Sequence, residues 1–195
     1  TINITLSGNS SARICIWAWS DERPIFNFSS MSESDANRGI FLSGSFWHLK
    51  GFEIYKAGDN GIKIEGNDNI IEQCVFSYCG DSGLQIGMAK SDVNPGNIAC
   101  RNLVLNCDSH HNFDSRNNGK NADGFACKLH AGPGNIFRGC RSWENSDNGW
   151  DLYENEEKII IEDCWTWHNG DKASFGWTGS WNGNGNGFKI GGNSS

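Results

Sequence analysis

Apolar residues recur along this chain in short triplets, without the spacing of an amphipathic helix. A unit of glycine followed by apolar, variable and apolar positions appears at Gly39-Ile40-Phe41-Leu42, Gly61-Ile62-Lys63-Ile64, Gly83-Leu84-Gln85-Ile86, Gly124-Phe125-Ala126-Cys127, Gly149-Trp150-Asp151-Leu152 and Gly187-Phe188-Lys189-Ile190. These glycines are separated by 22, 22, 41, 25 and 38 residues. The steps of 22 and 25 suit single coils of a solenoid; the longer ones suit either one coil with a large loop or two coils. A second register supports the first. Cys74, Cys107, Cys140 and Cys164 each follow a short strand-like run, and five residues after each come Cys79, Asn112, Asn145 and Asn169. One coil earlier, the same two positions hold Phe52 and Ala57. The cysteine row reads as an inward-facing ladder of reduced thiols, the asparagine row as a turn ladder of stacked amides.

Short strands separated by Asn-Gly, Asp-Gly and Ser-Gly corners describe an all-β parallel β-helix better than a β-sandwich. The glycines are expected at corners that need positive φ. Alternation then turns the first and third residues after each glycine inward and the second outward. The outward row is Phe41, Lys63, Gln85, Ala126, Asp151 and Lys189.

The 195 residues are enough for one domain with a sizeable core, taken here as a single solenoid over 1–195. A net charge of −7 without a Lys/Arg cluster excludes a phosphate backbone as partner, and means that an anionic substrate would be met with the help of a cation. No apolar run is long enough to span a bilayer. The chain begins inside a strand-like segment, so a signal peptide, if one existed, has been removed.

Carboxylates crowd around Asp151. Asp147 and Asn148 sit at the preceding corner, and Asp123 holds the equivalent corner one coil earlier. Three carboxylates and an amide oxygen on adjacent coils repel one another unless neutralised. Oxygen-only ligands at that density suit Ca²⁺ better than Zn²⁺, although any one of them alone reads as an ordinary corner residue.

At these residues the sequence resembles the family 9 polysaccharide lyases, right-handed parallel β-helix enzymes that include pectate and rhamnogalacturonan lyases. The resemblance is carried by Ala57-Gly58-Asp59-Asn60-Gly61-Ile62, Asn121-Ala122-Asp123-Gly124-Phe125-Ala126-Cys127-Lys128-Leu129, Asn145-Ser146-Asp147-Asn148-Gly149-Trp150-Asp151-Leu152 and Asn184-Gly185-Asn186-Gly187-Phe188-Lys189. It implies calcium held by Asp123, Asp147, Asn148 and Asp151, and Lys189 as catalytic base. Position 148 departs from the pectate lyase pattern, which has aspartate there. The family's solenoids also continue past the catalytic lysine, so this chain is expected to be a piece of a longer one.

The implied reaction is β-elimination: loss of the C5 proton of a uronate and departure of the C4 oxygen. The implied partner is an anionic plant cell-wall polysaccharide, polygalacturonate or rhamnogalacturonan, bound by a secreted monomer. Lys128, one coil from the site, is a candidate substrate-binding residue that can contact a second carboxylate, or it lies on the surface. Trp177 and Trp181, in the Gly/Asn/Ser-rich stretch 174–187, can stack on sugars at the cleft rim or cap the core. Lys63, several coils from the cluster, reads as a solvated lysine, and His110 and His111 as turn residues. A glycoside hydrolase would need two separated carboxylates and no lysine, and a non-catalytic carbohydrate-binding solenoid would tolerate loss of Lys189.

Overall fold

The computed structural model describes residues 1–88 and 98–192; the remainder of the expected 1–195 solenoid, 89–97 and 193–195, lies outside the described residues. The chain winds into coils that each add one short strand to three parallel sheets. The first sheet stacks Ile2–Ile4, Ile40–Leu42, Ile62–Ile64, Leu84–Ile86, Phe125–Cys127, Trp150–Asp151 and Phe188–Lys189. The second runs from Ile14–Trp17 to Ile160–Glu162 and the third from Ile25–Asn27 to Trp165–Trp167. All the strand pairs are parallel and in register, so the parallel β-helix expected from the repeat is the fold. Leu84 pairs with Phe125, and Trp150 with Phe188. The steps of 41 and 38 residues are therefore single coils carrying extra loops. Among the described residues no helix is long and apolar enough to cross a membrane.

The interior is built from like stacked on like. Ile40, Ile62, Leu84, Phe125 and Trp150 form one buried column, in which the Trp150 ring stacks on Phe125 at 4.9 Å and on Phe188 at 5.0 Å. Phe52, Cys74, Cys107 and Cys140 are buried in another, and all eight cysteines are free. At the corner after the third sheet, the Asn112 amide donates to Asn145 at 2.8 Å and the Asn145 amide to Asn169 at 3.0 Å. Each amide also reaches a hydroxyl of its own coil: Ser109, Ser142 and Thr166. In earlier coils Ile54 with Ala57 and Phe76 with Cys79 fill the same space. A second amide ladder, Asn69, Asn102 and Asn135, caps the start of the second sheet and was not read from the sequence.

The reason for the repeating glycines differs from the expected one. Gly61, Gly83, Gly124 and Gly149 do not have positive φ; they are required by close approach. A Cβ on Gly124 would stand 2.0 Å from Ser142 Oγ, and one on Gly83 2.1 Å from Ser109 Oγ. The left-handed corners fall elsewhere and carry side chains: Gln73, Asn106 and Asp163 precede the cysteine row, while Lys56, Tyr78, His111, Glu144 and His168 precede the alanine, cysteine and asparagine row. Each costs roughly 1 kcal/mol, a penalty that the stacked hydrogen bonds on either side offset.

Asn145→Ala removes two acceptor and three donor contacts from this ladder. It is expected to cost about 2–4 kcal/mol in urea unfolding, because buried amides and hydroxyls lose their partners. A loss within about 0.5 kcal/mol, typical of a surface change, would show that the ladder does not hold the corner.

Candidate active-site groove

The outward row of the first sheet does not face open solvent. Loops rise beside it and make it the floor of a groove of about 570 Å³, lined among others by Lys63, Gln85, Lys128, Asp151, Tyr153 and Lys189. Lys63 is only 1% exposed, which corrects its reading as a solvated lysine.

Register places Asp151 directly beside Lys189, and their side chains meet, Asp151 Oδ1 lying 3.1 Å from Lys189 Nζ. The Lys189 ammonium also lies over the Tyr153 ring, 5.3 Å from its centroid. Tyr153 went unnoticed in the sequence, although its place two residues after Asp151 puts both near one side of the chain. Asp151 Oδ2 faces Lys128 Nζ at 3.5 Å, and the same ammonium is 2.9 Å from Asp123 Oδ2. Lys128 is nearly buried between these two carboxylates rather than out on the surface. Burial works against its charge, but Asp123, Asp81 and Asp151 overcome that and hold the ammonium above the usual lysine range. Burial pushes the Asp123 carboxyl up to about 7, with the Lys128 ammonium pulling the other way.

Asp147 occupies the corner next to this network. Its two oxygens accept the backbone N–H groups of Asn184, at 2.7 Å, and Asn121, at 3.1 Å, so it pins two loops to the groove wall. Asn148 turns differently from expectation. Its amide nitrogen donates to Asp123 Oδ1 at 2.8 Å, and its oxygen accepts from the Asn186 amide at 2.8 Å. That oxygen is thus engaged along the corner. Among the described residues no three Asp, Glu, His or Cys side chains converge as a ready metal cage. The donor set nevertheless fits a hard cation: its charged ligands are all oxygen, and the Lys128 ammonium already stands where a cation would neutralise Asp123 and Asp151.

Trp177 and Trp181 are not among the groove-lining residues. They pack on Phe113 at 5.1 and 5.9 Å, and Trp181 also on Phe175, in a half-buried cluster that ties the last loop to the loop after Asn112. His110 stacks on Trp143 at 4.5 Å, outside the groove, and burial pushes it down to about 4. Arg38, Asp59 and Asp81 line the groove beyond Lys63 and were not singled out as site residues in the sequence.

Residues 1–195 match the family described as Pel9A-like, right-handed β-helix region. Pectate lyase L of Dickeya dadantii is 39% identical over 196 residues, a match covering 99% of this chain and 43% of that protein. The crystal structure of pectate lyase Pel9A superposes with a TM-score of 0.86 at 38% identity, covering 100% of this chain and 46% of that one. A rhamnogalacturonan lyase structure gives 0.77 at 28% identity, covering 97% and 47%. The chain spans less than half the length of each.

Lys128→Met leaves Asp123 and Asp151 buried without their shared ammonium. Removing one partner of such a pair is expected to cost about 3–5 kcal/mol in the metal-free protein. In urea unfolding, calcium should restore more stability to the variant than it adds to the wild type. The same deficit with and without calcium would mean that Lys128 does not stand at a cation position.

Proposed function

The chain belongs to the Pel9A-like right-handed β-helix family, and from that premise we propose that it carries the catalytic groove of a calcium-dependent lyase. The proposed substrates are uronate-containing pectic polysaccharides, cleaved by β-elimination with Lys189 as the base. The observation that carries the reading is the pairing of Asp151 with Lys189 on adjacent coils of a groove floor, next to Asp123 and Asp147.

The difficult step is removal of the C5 proton, because the electron pair left behind builds charge beside a carboxylate that is already anionic. Bound by Asp123, Asp147 and Asp151, calcium would supply Lewis-acid neutralisation of that carboxylate. The protein's own residues do the rest. Asp151 and the Tyr153 ring hold the Lys189 nitrogen at the groove floor. Lys189 acts as the base in its neutral form. It takes the C5 proton, the C4–oxygen bond breaks with its electron pair on the departing oxygen, which gains a proton from water to become the hydroxyl of a new reducing end, and the other chain end carries a 4,5 double bond. Asp147 keeps the loops at Asn121 and Asn184 against the groove wall. A substrate of cell-wall dimensions places such an enzyme outside the cell, and secretion is part of the proposal.

The test is incubation with polygalacturonate and, separately, rhamnogalacturonan, with and without calcium, following the ultraviolet absorbance of the unsaturated product. Absorbance that rises only with calcium is expected, whereas new reducing ends without absorbance would mean hydrolysis. Lys189→Ala should reduce turnover by about 10³-fold, the scale of a general base, while calcium still binds in calorimetry. Near wild-type turnover in that variant would remove Lys189 from the mechanism.

A further inference from the structure

Lys63 stands four strand steps from Lys189 along the same groove floor, through Gln85, Ala126 and Asp151. At about 4.8 Å per step this is roughly 19 Å. Its burial is costly for a lysine. Among the described residues its ammonium donates one hydrogen bond, to the Met88 carbonyl at 2.5 Å, and burial pulls the group down to about 7, despite Glu65 nearby. An ammonium has three N–H donors to satisfy. Arg38, in the preceding corner, is similarly placed: its Nε is 3.3 Å from Asp59 Oδ2 but makes no aligned hydrogen bond and is buried. Its guanidinium lies over the Phe41 ring, next to Lys63 in the strand register. Among the described residues, two basic side chains, one with an unpartnered Nε–H and one with a single hydrogen bond, thus line the end of the groove farthest from the base.

We infer that Arg38 and Lys63 form a subsite for the carboxylate of a second uronate unit of the same polysaccharide chain, several sugars from the bond that is cut. The inference rests on the polyuronide reading of the groove and extends it to substrate length. The three carboxyls lining this space, Asp35, Asp59 and Asp81, do not forbid an anion: Asp35 is ion-paired with Arg116 at 2.7 Å. Burial pushes Asp59 up to about 7 and raises Asp81 as well, and a protonated carboxyl donates a hydrogen bond where an ionised one repels. Asp59 is also partnered by Arg38, and Asp81 accepts the Ser82 N–H at 2.5 Å. A 1,4-linked uronide lying along the floor presents a carboxylate on every unit. A chain long enough to reach from Lys189 to Lys63 therefore gains a charge-assisted contact that a short one lacks.

The test measures binding by calorimetry in the Lys189→Ala background, so that nothing turns over, with calcium and galacturonate trimer or hexamer. The hexamer is expected to bind about tenfold more tightly than the trimer. Lys63→Met and Arg38→Gln should each remove most of that gain and leave the trimer's affinity as it was; a methyl-esterified hexamer should show no gain. If Lys63→Met fails to fold in circular dichroism and melting, the partly exposed Arg38→Gln decides. A length gain kept in Arg38→Gln, or no gain in the parent, overturns the subsite. Absence of unsaturated product from wild type overturns the lyase reading alone, since these affinities are read without turnover.

Discussion

In-register parallel stacking is the constraint on which everything else in this protein depends. Successive coils lie one strand spacing apart, about 4.8 Å, so each side chain touches its equivalents above and below, whatever the length of loop between them. Residues 41 positions apart, such as Leu84 and Phe125, become neighbours in the same way as residues 22 apart. The rule tolerates apolar and self-complementary groups: isoleucines, flat aromatic rings, thiols, and amides that donate to one neighbour and accept from the other. It also demands small residues where the wall of the coil comes close to the next turn, as at Gly83 and Gly124.

Like charges stacked at that spacing repel, and the outward row of the first sheet shows how the protein handles this. Asp151 is followed by Lys189, not by a second acid, and its other oxygen faces Lys128 from the side. Buried charges are stabilising only when fully partnered, and those at this end of the groove are balanced through shared contacts that a bound ion can replace. A divalent cation taking over Asp123 and Asp151 would free Lys128 and Lys189 from them. Asp147 extends this network to the loops through the N–H groups of Asn121 and Asn184.

Much of the scaffold was legible because stacking writes itself into spacing. The glycine units, the cysteine column and the Asn112–Asn145–Asn169 ladder could all be read, and with them the adjacency of Asp151 and Lys189. The purpose of the glycines could not, because a clash with a hydroxyl on the neighbouring strand and a positive φ leave the same letter in the sequence. Loops were the other blind region. They have no register, so the burial of Lys63, the docking of Trp177 and Trp181 on Phe113, and the diversion of the Asn148 oxygen to Asn186 were invisible until the coils were seen with their loops. Only the composition of the 174–187 stretch marked it as a loop, and composition alone does not say which way a tryptophan turns.

The most direct test of the central claim, that stacking brings a cation site and an amine base to one sugar, is a crystal structure of the Lys189→Ala protein with calcium and a galacturonate hexamer. The account predicts calcium on Asp123, Asp147 and Asp151 with Lys128 withdrawn from between them. It also predicts a uronate carboxylate on the ion and that sugar's C5 facing the space left by the Lys189 side chain. An ion bound elsewhere, or a hexamer whose C5 atoms all point away from position 189, would contradict it.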